Sequence, residues 1–433
     1  MRGESAKGGS AVSGVPRQVR VYADWAGLNG PRLMGHLSMD RVRGKEVFSF
    51  EYDGGWLSGG LAQQLDPELQ LFEGKQYLRD AKQNFGIFLD SSPDRWGRLL
   101  MRRREACYAR LDKRSEARLS ELDYLLGVYD GQRMGAIRFQ EGARDCYLNS
   151  DERMATPPWT SLRDLEYASL RFEESDLQDN EETLKWLNQL LAPGSSLGGA
   201  RPKAGVVDDR GGLWIAKFPS RSDQADTGAW ECVLHELARK AGLQVPEAAA
   251  RTFTSRHHTF LSRRFDRTLS GQRLHFASAM TLLGYADGAN AAAGISYLEL
   301  AEFIMRHGSA PGADLAELWR RIVFNICVSN TDDHLRNHGF MLAAKDGWTL
   351  SPAYDMNPNP QGDGLTLNIT ENDNRLDLDL ALEVTASFHL EVSRAKEMMG
   401  AVRRAVKQWR HVATRQKLSK AEQEKMSLAF SRA

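Results

Sequence analysis

Cysteine is scarce in this chain. There are four in 433 residues, Cys107, Cys146, Cys232 and Cys327, and none forms a Cys-x-x-Cys pair. A disulfide framework or a zinc ribbon is therefore not expected, and a reducing cytoplasm is the natural compartment. Long apolar runs are also missing. None approaches the ~18 residues needed to span a bilayer, so no membrane partner is expected. Met1 to Pro16 lack the apolar stretch of a secretory signal and read as a flexible tail. Net charge is absent too, since 57 Lys and Arg balance 57 Asp and Glu. No global attraction to nucleic acid follows.

What is present is the composition of a globular protein, 42% hydrophobic and 26% charged. The length suits two or three packed subdomains. Charge is patchy within the neutral total. Arg95, Arg98, Arg102, Arg103 and Arg104 cluster, and the segment from Ala401 onward is basic. Each reads as a solvated helical face or as a contact for an acidic partner or DNA backbone.

Strand signals open the chain at Val19–Ala23 and Val47–Tyr52. A helix is expected from Ser92-Pro93-Asp94, with serine as N-cap and proline at the first helical position. Gly135–Phe139 reads as a strand, and the acidic stretch from Asp151 to Asn180 as a boundary. A helical segment at Leu184–Leu191 leads to the glycine-rich run Pro193–Lys203. Ala204–Val207, the turn Asp208–Gly212 and Leu213–Phe218 then spell a β-hairpin. Trp230, Val233, Leu234, Leu237, Ala238 and Ala241 recur at helical spacing, and Gly242 can end that helix. Thr252–Thr254 and Thr259–Phe265 read as strands. After Asp266 the pattern is mostly helical, with Trp319, Ile322, Val323 and Ile326 on one face and a capping box at Ser419–Glu422.

Three features can carry chemistry. Lys217 lies in Trp214-Ile215-Ala216-Lys217-Phe218, where both faces of the strand are apolar. A lysine buried there needs an anion, and a phosphate and Glu231 on the next helix are natural partners; a snorkelling edge lysine with an exposed Glu231 is the other reading. Gly194, Gly198 and Gly199 permit close backbone approach to a phosphate, with Lys203 as a second cation, although in isolation the run reads first as a plain turn. The spacing matches neither a Walker A loop nor GxGxxG. The third feature is Thr331-Asp332-Asp333-His334-Leu335-Arg336-Asn337-His338, followed by Tyr354-Asp355. Asp332 and Asn337 have the spacing of the base and metal-binding residues of a kinase catalytic loop, and Asp355 adds a hard oxygen ligand for Mg²⁺. His334-x-x-x-His338 on a helix would instead suit zinc, although Leu335 replaces the metalloprotease glutamate. A capped polar turn is the third reading.

Taken together, the Ala-x-x-Lys loop, Ile-x-Lys-x-Pro strand, helix glutamate, Arg-Phe-Asp-Arg, Thr-Asp-x-His-x-x-Asn and Pro-x-Tyr-Asp resemble the HipA family of serine/threonine kinases, toxins of bacterial toxin–antitoxin pairs. Ser91 to Gly97 and Met134 to Phe139 resemble that family's N-terminal region. The resemblance implies an α+β, bilobal, protein-kinase-like fold related to lipid kinases. Residues 17–150 would form the N-terminal domain, 151–266 the kinase N-lobe and 267–433 a helical C-lobe. It implies ATP and Mg²⁺ as cofactors. Asp332 would be the base, and Asn337 and Asp355 the metal ligands, with His334 and Tyr354 nearby. Lys217 would contact phosphates, paired with Glu231. Gly198, Gly199, Ala200, Arg201, Pro202 and Lys203 would cover the nucleotide, and Arg263, Arg264 and Phe265 would form the adenine hinge. Ser196, or its neighbour Ser195, would be autophosphorylated. The implied partners are a HipB-like helix-turn-helix antitoxin dimer, which would mediate any DNA contact, and a protein substrate such as an aminoacyl-tRNA synthetase. A chain that kept only a co-repressor role is the alternative.

Overall fold

The computed structural model describes residues 17–79, 82–142, 146–148, 150, 156–174, 180–191, 199, 201–343 and 347–433. The expected tail over residues 1–16 lies outside them. So do Ser195, Ser196, Gly198 and Ala200.

Alternation builds the first sheet. In β1 (Arg17–Ala23), Val19, Val21 and Ala23 are fully buried and their neighbours are not, the period of a strand covered on one face. With β2 (Arg32–Val42), β3 (Lys45–Tyr52), β4 (Lys75–Tyr77) and β5 (Ile137–Glu141), it forms an antiparallel sheet of order β4-β3-β2-β1-β5. The next long helix, Arg95–Leu111, starts later than expected. Asp94 is its cap and accepts from Gly97 N at 2.9 Å. Ser92 is unavailable for that role because its hydroxyl donates to Phe88 O at 2.8 Å, closing the preceding turn.

The expected hairpin is β6 (Lys203–Val207) and β7 (Leu213–Lys217). The Asp208 carboxylate closes its turn by accepting from Arg210 N and Gly212 N. β8 (Ala248–Arg251) and β9 (Thr259–Arg263) complete an antiparallel sheet of order β6-β7-β9-β8. The strand expected at Thr252–Thr254 is therefore misplaced. Thr254 donates through its amide and hydroxyl to Glu166 at 2.9 and 2.8 Å, and the alanine run before it does the pairing. Behind this sheet lies the helix Thr227–Lys240, capped by Asp226 and followed by Gly242 at φ 83°.

The final part is not wholly helical. β10 (Phe276–Ser278), β11 (Gly339–Ala343) and β12 (Gly347–Leu350) form a small antiparallel sheet. The helix Pro311–Val328 buries Trp319, Ile322, Val323 and Ile326, and also Glu317, Arg321 and Asn325. It is enclosed on all sides, as a core helix should be. At Ser419 the capping box is half formed. The hydroxyl accepts from Glu422 N, while the Glu422 carboxylate accepts from Asp226 N and Trp230 Nε1.

One apolar core runs from the first sheet through the Thr227–Lys240 and Pro311–Val328 helices to Phe430. A second joins the Arg95–Leu111 helix, the helices Leu162–Phe172 and Glu181–Leu191, and the β6-β7 hairpin. Early and central parts of the chain thus meet beside β6. Trp96 Nε1 donates there to Lys203 O at 3.1 Å.

Candidate active site

A cleft opens between the second sheet and the segment Ala353–Met356. Ile215, Phe260, Ala353 and Met356 give it apolar walls, and Lys217, Glu231 and Asp355 give it one ionic end. Strand alternation puts Lys217 there. Its ammonium is 2.5 Å from Glu231 Oε1 and bonded to Asp355 Oδ1, with the side chain only 15% exposed. Burial opposes the charge on Lys217, but the two carboxylates overcome it and raise its pKa. Burial pushes Asp355 up, and the Lys217 charge prevails and holds it at about 2. Glu231 has the opposite balance. Its desolvation outweighs Lys217, and the nearby Asp355 charge adds to the rise. Asp355 sits at φ 59°, in the left-handed region, which a short polar side chain tolerates better than most.

The loop facing this clamp begins where the Pro311–Val328 helix stops at Ser329, φ 49°. Asp332 is exposed, and its carboxylate oxygens accept no hydrogen bond from the described residues. Desolvation still raises its carboxyl above the ordinary range. Asp355 and Asp333 add to the rise and His334 pulls against it. Asp333 is buried. Its Oδ2 accepts from Tyr297 Oη at 2.6 Å and Asn325 Nδ2 at 2.7 Å, and lies 2.8 Å from His338 Nε2. The two adjacent carboxylates therefore live in different environments, one exposed, the other buried and hydrogen-bonded through Oδ2.

Asn337 Nδ2 donates to Asp332 O at 2.9 Å, folding the loop over a short 3₁₀ turn, Leu335–Asn337. Its Oδ1 is buried without a hydrogen-bond partner among the described residues, as is His334 Nδ1. A buried carbonyl oxygen with no donor is costly unless something else satisfies it. With the Asp355 carboxylate it could supply hard oxygen ligands, a donor set of the kind that suits Mg²⁺. The zinc alternative required His334 and His338 on one helical face. They flank the 3₁₀ turn instead, and His338 is spent on Asp333. Tyr354 Oη donates to Arg336 O at 2.7 Å, tying this loop to the residue beside Asp355.

Other candidates are placed differently. Lys203 is buried, with Nζ 2.6 Å from Asp94 Oδ2 and 3.4 Å from Gly199 O, so its charge is committed to Asp94. Arg201 makes a two-pronged pair with Asp223 at 2.8 and 2.6 Å. Pro202 is buried, and its carbonyl accepts from Phe218 N. Arg263, Arg264 and Phe265 line the cleft. The Arg264 guanidinium, however, turns to Asp266 at 2.6 Å and to the Gln132 carbonyl, so it serves the scaffold. Arg263 reaches Glu247 at 3.4 Å, and the Phe265 ring lies 5.6 Å from that of Tyr354. Ser195, Ser196, Gly198 and Ala200 fall outside the described residues.

Sequence reasoning missed Tyr297, Asn325 and Asp94. Asn325 did leave a signal, a polar residue between Phe324 and Ile326 in an apolar helix. Tyr297 and Asp94 left none, because each also suits an ordinary helix start.

Residues 195–409 match the family model of the HipA-like C-terminal domain. A protein from Haemophilus influenzae named "Putative kinase" is 26% identical over 179 residues, 37% of this chain and 52% of its own length. "Putative kinase Y4dM" of Sinorhizobium fredii is 29% identical over 161 residues, 35% of this chain and 38% of its own. The matches thus span about half or less of these relatives. Among solved structures, the Shewanella oneidensis HipA, from a complex of HipA, HipB and operator DNA, aligns with a TM-score of 0.62 and 16% identity over 96% of both chains. That likeness shows an α+β, kinase-like fold. The family match covers the segment that carries Lys217, Asp332 and Asp355, and by it the chain belongs to the HipA family.

Proposed function

We propose that this chain is an ATP- and Mg²⁺-dependent protein serine/threonine kinase, the toxin of a HipBA-like pair. The observation that carries this reading is Lys217 held between Glu231 and Asp355 at the ionic end of an apolar cleft. A base and ribose suit the apolar walls, and phosphates suit the ammonium. Asn337 and Asp355 would hold Mg²⁺, which when bound neutralises phosphate charge. Lys217 orients the phosphates, and Glu231 keeps its ammonium in place. Asp332 aligns the acceptor hydroxyl and takes its proton at a carboxylate oxygen. A carboxyl raised above its ordinary value is a better base, and an exposed one can reach a protein substrate. Positioning and electrostatics supply the rate in this class of reaction.

The acceptor would be a protein hydroxyl, on an aminoacyl-tRNA synthetase or another target, and on Ser196 or Ser195 of the chain itself. The relative seen with HipB and operator DNA supports a helix-turn-helix antitoxin as partner, with DNA contact made through it. A cytoplasmic location is consistent with four free cysteines.

Incubation with labelled ATP in lysate, followed by phosphosite mapping, tests the reading. Wild type should label itself or a protein substrate, and Asp332→Ala should not. Absence of labelling by wild type, or equal labelling by the variant, would overturn it.

A further inference from the structure

Lys203 and Lys217 are direct partners across the β6-β7 pair, so their side chains leave the sheet on the same face. Like charges so placed repel, and both lysines are largely buried, with side chains 5% and 15% exposed. Three carboxylates surround them. Glu231 and Asp355 serve Lys217, and Asp94 serves Lys203. Asp94 comes from the early part of the chain, 109 residues before Lys203. One of its oxygens caps the Arg95–Leu111 helix at Gly97 N, and the other holds the ammonium at 2.6 Å. The local chain is shaped for this. A Cβ on Gly97 would come within 2.8 Å of Pro93 Cβ, so the tight turn that presents Asp94 needs glycine there. Trp96 grips the same lysine from behind through its carbonyl, at 3.1 Å.

We propose that Asp94 is a positioning residue of the nucleotide site. It sequesters the Lys203 charge and so reserves Asp355 for Lys217 and the metal. This rests on the kinase reading above. Lys203 lies near enough for its charge to lower the pKa of Asp355. Without Asp94, a buried ammonium seeks the nearest carboxylate, because leaving it unpaired is expensive. Asp355, which already feels the Lys203 charge, is the carboxylate it should turn to. The early part of the chain is then a working part of the cleft.

The test measures binding of a non-hydrolysable ATP analogue to the full chain across a Mg²⁺ titration, alongside thermal unfolding without nucleotide. Asp94→Asn keeps the shape and the cap and removes the charge. It should weaken Mg²⁺-dependent binding about tenfold and raise the Mg²⁺ concentration needed. Adding Lys203→Met should restore most of the loss. Unchanged binding in folded Asp94→Asn, or no recovery in the folded double variant, overturns the proposal. If wild type itself binds no Mg²⁺-nucleotide, the kinase reading fails instead.

Discussion

The Tyr297 hydroxyl donates to Asp333 Oδ2 at 2.6 Å, deep beneath the loop that carries Asp332. Asn325 and His338 converge on the same oxygen. Burial raises the pKa of this carboxyl, but the charge and hydrogen bond of His338 and the hydroxyl of Tyr297 bring it below the ordinary range. Asp333 therefore stays charged and anchors the backbone next to the proposed base. Tyr297→Phe removes one donor and little volume. It should cost about 1–3 kcal/mol in denaturant unfolding. It should also lower kcat more than KM for ATP, because it loosens the base and leaves the phosphate clamp intact.

Asp332→Asn should behave in the opposite way. The side chain is exposed and accepts no hydrogen bond from the described residues. Stability should change by less than about 0.5 kcal/mol. Phosphoryl transfer should fall by about a hundredfold or more. The wild-type rate should carry an acid limb. As pH falls through the raised pKa of Asp332, the base is protonated and kcat drops, at a pH above that of an ordinary aspartate. Steady-state rates across pH 4 to 8 check this, and a rate flat down to pH 4 would count against Asp332 as the base.

Lys217→Met leaves Glu231 and Asp355 facing each other without their shared cation. Breaking a buried pair in this way costs about 3–5 kcal/mol, measurable by chemical denaturation at neutral pH. Asp355 should then lose the influence that holds it at about 2, and its pKa should rise. The folded variant would bind protons more readily than the unfolded chain. Its deficit relative to wild type should shrink as pH is lowered. A deficit that grows on acidification would contradict this account.

His275 predicts a separate acid sensitivity. Both ring nitrogens lack hydrogen-bond partners among the described residues, and the ring packs between Trp25 and Trp348 at 5.6 and 5.8 Å. Burial alone holds its pKa down at about 3. Below about pH 6.5 the unfolded chain takes a proton that the folded chain refuses. Stability should fall by about 1.4 kcal/mol per pH unit from this group, and the loss should level off near its folded value. His275→Phe should show a shallower decline over pH 6.5 to 4. Unfolding free energies of the two proteins across that range provide the comparison.

Lys217 and Glu231 were legible in the sequence for one reason. A charge on a strand with two apolar faces, and another beside a helical apolar stripe, each demand a partner, and the elements are consecutive. The third member, Asp355, is 138 residues from Lys217, and no local pattern links them. The Asp94–Lys203 pair was hidden more completely. Each residue has a sufficient local explanation, one as a helix cap and one as a loop cation, and only the packing of the Arg95–Leu111 helix against β6 joins them. Strand errors had a different origin. Thr252–Thr254 has the β-branched content of a strand, but Glu166 claims Thr254, and an alanine run with poor strand propensity pairs with β9. β10 is three residues long, and β11 opens with Gly339, so neither carried enough alternation to be read.

The backbone at Asp355 also restricts what evolution or design can place there. A left-handed φ favours glycine, asparagine and aspartate. Glycine offers no oxygen, and asparagine has no charge to set against Lys217. Aspartate alone meets both the backbone and the electrostatic demand. Asp355→Asn is therefore the informative replacement, since it changes charge while leaving the left-handed turn at ease. Alanine or glutamate would alter backbone strain or reach as well, and a loss of activity in either could not be assigned to the carboxylate.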